Sequence, residues 1–138
     1  MAFPFITSVY AALLALLYLA LSAWVSAGRT RLKVMLGDGG DVNLLGRIRA
    51  HANFAEYVPL ILILVALLEG RRTSIYIIHT LLFTLLVARL AHPIGIVAAP
   101  GSAREKTFRG LGAGLTYLVL LLSAVALLVA AIQTPIIY

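Results

Sequence analysis

The side chains best equipped for chemistry lie in one stretch, RIRAHANFAEYVPLILILVALLEG, which begins at Arg47. On a helix that advances about 100° per residue, Arg49, Asn53 and Glu56 fall within about 60° of one another, and Arg47 and His51 fall on the opposite side. One stripe therefore offers a guanidinium, an amide and a carboxylate, a set suited to a zwitterion. The next run, Val58 to Leu68, holds 11 residues without a charge. That is roughly 16 Å of helix, about half of a hydrocarbon core of roughly 30 Å. A span through this run must recruit residues back to about Arg49, which puts the stripe inside the membrane boundary or at its headgroup edge. Charges so placed cost roughly 2.5–3.5 kcal/mol each on insertion scales and mark a functional site by default. A plainer reading stands beside it: an interhelical Arg49–Glu56 ion pair, with Asn53 as polar glue.

The elements that must position this stripe are membrane spans. The chain of 138 residues is 62% hydrophobic and 12% charged, with a mean hydropathy of +1.05. A small soluble domain cannot bury that excess. The first apolar run, Phe5 to Ala27, is 23 residues without a charge. With no basic segment before it, it reads as an uncleaved span rather than a secretory signal. Further spans are expected at Arg49 to Leu68, at Ser74 to about Ala91, and from Gly110 onward. EGRRTS forms a tight turn between the middle two, and PGSAREKTFRG a longer loop before the last. The expected fold class is an all-α integral membrane protein, a four-helix up-down bundle in a single domain over residues 1–138.

Basic residues supply orientation rather than nucleic-acid binding. Arg29, Arg31, Lys33, Arg47, Arg49, Arg104, Lys106 and Arg109 belong to loops one and three and their flanks, against Arg71 and Arg72 at the turn between. The positive-inside rule then places both termini outside and loops one and three in the cytoplasm. This topology gathers Arg29 and Arg31, the Arg49 stripe, Arg89 with His92, and Arg109 at one membrane face. Arginine in excess over acid suits an anionic guest. The chain has no cysteine, and its three histidines and five acids are widely spread. Neither a thiolate site nor a metal site of recognisable spacing is present.

RIRAHANFAEYVPL resembles the second-helix signature of the MAPEG family, the membrane-associated proteins in eicosanoid and glutathione metabolism. That signature runs Arg-x-x-x-Asn-x-x-Glu with a following Tyr-x-Pro, matched by Arg49, Asn53, Glu56, Tyr57 and Pro59. The resemblance covers the whole chain, including the basic end of helix one and ARLAHP near the end of helix three. It implies a homotrimer with glutathione held between subunits near the cytoplasmic face. Arg49 and Asn53 would then hold the peptide, Glu56 its α-ammonium, and Tyr57 would add a hydroxyl. Arg109 matches the arginine that opens the fourth helix and would be catalytic, stabilising the thiolate. Arg31, reaching in from the adjoining subunit, Arg89 and His92 would complete the glutathione site. A free thiol has a pKa near 8.5, and a neighbouring cation lowers it by about one unit or more. The thiolate could attack a lipophilic electrophile or a lipid hydroperoxide in the bilayer.

The sequence departs from the pattern at Ala52, where some members carry a further arginine, at Ile96, where several catalytic members carry tyrosine, and at Gly110, a serine in one prostaglandin-forming member. These differences argue against a specific eicosanoid synthase. The expectation is a glutathione transferase or peroxidase that detoxifies lipophilic compounds in a bacterial inner membrane. Its partners would be glutathione, lipid and copies of itself, with no metal and no nucleic acid. The alternatives are a non-catalytic lipid-binding scaffold of the same family and a small channel or transporter. Other features read as structural. Gly110 and Gly114 form a GxxxG expected to pack closely, and His79 reads as a packed or hydrogen-bonded histidine. Pro93 and Pro100 are expected to end helix three. Trp24, Tyr10, Tyr18 and Tyr138 suit interfacial or packing positions.

Overall fold

A computed structural model describes residues 3–133; Tyr138 lies outside them. The regular structure among the described residues is all helical, with α1 at Phe5–Leu32, α2 at Val42–Gly70, α3 at Ile75–Ile96, a π-helical turn at Glu105–Arg109 and α4 at Gly110–Ile132. Four helices, the last counted with its π turn, are long and apolar enough to cross a membrane. They run up-down-up-down, as expected of an all-α membrane bundle. Each of α1 and α4 packs on both α2 and α3, whereas α1 and α4 do not meet among the described residues. The middle helices are therefore the inner pair.

The core follows from periodicity. Phe54, Val58, Ile61, Val65 and Leu68 on α2 recur every three or four residues and are all buried. They meet Leu14 and Leu21 of α1, Leu82 and Leu85 of α3, and Val119 of α4 in one cluster. Lipid is as apolar as these side chains, so close approach of backbones must supply much of the holding energy. Gly95 and Gly112 provide it. A Cβ on Gly95 would overlap the backbone of Arg109, and one on Gly112 would lie 2.7 Å from His92 Cβ.

Three boundary expectations need correction. Helix α2 begins at Val42 rather than near Arg49, because Asp41 caps it by accepting from Leu44 N at 2.7 Å. Helix α3 continues through Pro93 to Ile96; Pro93 lacks only one ladder donor, and packed membrane helices tolerate that. Much of PGSAREKTFRG is wound into helix as the π turn leading into α4. The GxxxG expectation also changes. Gly110 and Gly114 would have open space around a Cβ, and it is Gly112 between them, on the other side of the helix, that packs.

At the end of the bundle holding the start of α1, Pro4 offers no side-chain cap. Glu69, near the end of α2, supplies one across the fold. Its Oε1 accepts from Ile6 N at 2.7 Å, and its Oε2 accepts from Thr7 N at 2.8 Å and Thr7 Oγ1 at 2.7 Å. Close by, His79 Nδ1 lies 3.3 Å from the Tyr10 hydroxyl, so this histidine is hydrogen-bonded.

Candidate functional site

Helix α2 presents two polar faces at its first turns. One turns to α1: Arg47 stacks over Trp24 at 5.0 Å and donates to Trp24 O at 3.2 Å. His51 stacks on Tyr18 at 4.5 Å, with its Nε2 3.0 Å from Ser22 Oγ. Arg47 and His51 are thereby engaged in joining two helices. The other face carries Arg49 and Asn53 and borders open space.

That space is a cleft of about 500 Å³ between the start of α2, the segment Ile96–Pro100 after α3, and the π turn. Asn43, Arg49, Asn53, Glu105 and Arg109 supply its polar side chains. Such a volume is within the range of small-molecule sites, about 300–1,000 Å³. Arg109 is half exposed, and its Nη1 donates to Glu105 Oε1 at 3.1 Å. Arg49 has no protein partner among the described residues, and no ion pair joins it to Glu56. Within the described chain the stripe is therefore not held by an Arg49–Glu56 ion pair. A guanidinium without a partner among the described residues, an amide and a second guanidinium around one hollow are groups chemically suited to an anion with a polar backbone.

The other expected site residues are distributed differently. Tyr57, Arg89 and His92 line a separate cavity of about 30 Å³, together with Asn53, Thr116 and Tyr117, room for about one water. Arg89 is 3% exposed. It donates to Gly112 O at 3.0 Å, Thr116 Oγ1 at 2.6 Å and, more weakly, Asn53 O at 3.4 Å. It thus ties the helix carrying Asn53 to the helix that follows Arg109. His92 is also buried, with Nδ1 unpartnered. Glu56 and Arg31 are exposed and line neither hollow. Glu105 escapes a reading of the sequence, although Ser102 and Glu105 stand at the spacing of a helix-capping pair. Among the described residues no three His, Cys, Asp or Glu side chains gather as a metal site would need.

A four-helix membrane bundle with an arginine- and amide-lined cleft at one end defines a small integral membrane protein. The model of the MAPEG family matches residues 7–129, and the chain belongs to that family. It is similar to the inner membrane protein YecN of two Escherichia coli strains, in each case 34% identical over 90 residues, covering 65% of this chain and 69% of the relative. No solved structure gives a significant match.

Proposed function

We propose that this protein is a membrane-bound glutathione transferase, with peroxidase activity toward lipid hydroperoxides as a second outlet of the same chemistry. The observation that carries this reading is the cleft itself, where Arg49 and Asn53 of α2 and Arg109 before α4 meet around about 500 Å³. Arg49 and Asn53 hold the carboxylate and amide groups of the tripeptide, and Arg109 faces the sulfur. Ionisation leaves an electron pair on sulfur and sends the proton to water; the thiolate then attacks an electrophilic carbon positioned beside it, forming an S–C bond as the carbon's leaving group departs with its bonding electrons. Arg31 and Glu56 lie exposed outside the chain's own cleft, as groups that complete a site across a subunit boundary would. A homotrimer supplies that boundary. The basic flanks of loops one and three support a cytoplasmic position for the cleft in a bacterial inner membrane, with both termini outside.

One observation favours a second reading, a non-catalytic lipid-binding scaffold: Arg109 is already paired with Glu105. The deciding experiment is the ultraviolet thiolate absorbance on mixing purified, detergent-solubilised protein with glutathione at neutral pH, beside Arg109→Leu. The transferase reading expects a saturable signal that the substitution abolishes. No signal from well-folded protein would bring the scaffold forward.

A further inference from the structure

The cleft contains a carboxylate that has no task in binding the tripeptide or facing its sulfur. Glu105 opens the π-helical turn and lines the cleft with Arg49, Asn53 and Arg109. Its Oε2 accepts from Gly101 N at 2.6 Å, and its own N donates to Ser102 Oγ at 3.1 Å. These two bonds are a variant of the capping box. A cap accounts for the contacts to the loop. It does not account for the other oxygen, which holds Arg109 at 3.1 Å. Glutamine serves at this position of a capping box as glutamate does, so the negative charge is the part that capping does not require.

On the reading of the cleft as a thiol-activating site, we propose that Glu105 sets its electrostatic strength. It neutralises part of the charge of Arg109 and so limits how far the cleft ionises a bound thiol. The charged side chains lining the cleft are Arg49 from α2 and Glu105 and Arg109 from the π turn, while Ile96–Pro100 contribute none. Two arginines against one glutamate leave +1, and without the glutamate +2. Lys106 shares an outer groove with the same pair and adds to the positive surround. A cation within about 4–6 Å favours a thiolate, and a carboxylate beside that cation removes part of the effect. The step is RS–H giving RS⁻ and a proton released to water, with no oxidant or reductant.

The test is the pH dependence of the thiolate absorbance of glutathione bound to the full chain in detergent, for the wild type, Glu105→Gln and Ser102→Ala. Glu105→Gln is expected to move the midpoint about one pH unit lower, roughly a tenfold gain in thiolate below both midpoints. Ser102→Ala weakens the cap but keeps the charge, and its midpoint should match the wild type. An unchanged midpoint in Glu105→Gln would reduce Glu105 to a cap. A raised midpoint would make it the proton acceptor, and an equal shift in Ser102→Ala would make the effect structural; each overturns the proposal. A wild type with no saturable signal at any pH would instead remove the thiol-activating reading beneath it.

Discussion

The two ends of the bundle treat charge in opposite ways. At one end, Glu69 accepts three hydrogen bonds from the start of α1, and the result is a closed joint between α1 and α2. At the other end Arg49 has no protein partner among the described residues, and Arg109 is held only by the neighbouring Glu105. The closed end satisfies its carboxylate entirely with protein donors, as a structural group should be satisfied. The open end leaves a cationic donor without a partner inside the described chain. In a membrane helix, where charge is costly, the first arrangement is a fastening and the second a candidate binding surface.

The comparison can be broken from either side. The largest effect is expected where the packing supports the open end. Gly95→Ala would force a methyl into the backbone of Arg109 and should cost about 3 kcal/mol of stability. It should also displace Arg109, so that thermal unfolding in detergent and glutathione binding fail together. Next comes the closed end. Glu69→Ala leaves two N–H groups and a hydroxyl unpaired, which should cost about 2 kcal/mol. The melting temperature should fall while the glutathione affinity of folded protein stays unchanged; weakened binding would show that the two ends are coupled. The smallest effect on stability belongs to Arg49→Met, since Arg49 is exposed and has no protein partner among the described residues. Its melting should stay within about 0.5 kcal/mol of the wild type, while isothermal titration shows glutathione binding at least tenfold weaker, about 1.4 kcal/mol. A large loss of stability with intact binding would turn Arg49 into another fastening.

Hydropathy sufficed to place four spans because each carries a largely apolar run without a charge. It could not place their ends, because Val42–Ile48 continues α2 beyond the apolar run, where helix formation depends on the Asp41 cap rather than on lipid. Pro93 misleads for a related reason: a proline rule drawn from isolated helices gives way when neighbouring helices hold the backbone. The stripe correctly gave the side of α2 on which Arg49 and Asn53 lie. It placed Glu56 with them, yet the structure leaves Glu56 outside the cleft. A helical wheel reports direction and not depth, and the cleft extends only as far along α2 as Asn53. Arg89 and His92 line the smaller cavity, which shares Asn53 with the cleft. No spacing rule tells which of two adjoining hollows a helical residue will line. Glu105 is hard to single out because PGSAREKTFRG has the composition of a loop, and only its winding brings the carboxylate to the cleft.

The π turn at Glu105–Arg109 carries one residue more per turn than an α-helix would. Such an extra residue is slack taken up within one turn, so the winding on either side of it keeps its phase. Deleting a single residue there would return the segment to α-helical winding and leave the loop from Gly101 on nearly the same bearing relative to α4. With the deletion between them, Glu105 and Arg109 would stand three residues apart instead of four, still neighbours on one helical face but paired at a different angle. A one-residue length change in this turn is thus a route by which a chain of this architecture can retune its site without altering any side chain that lines it.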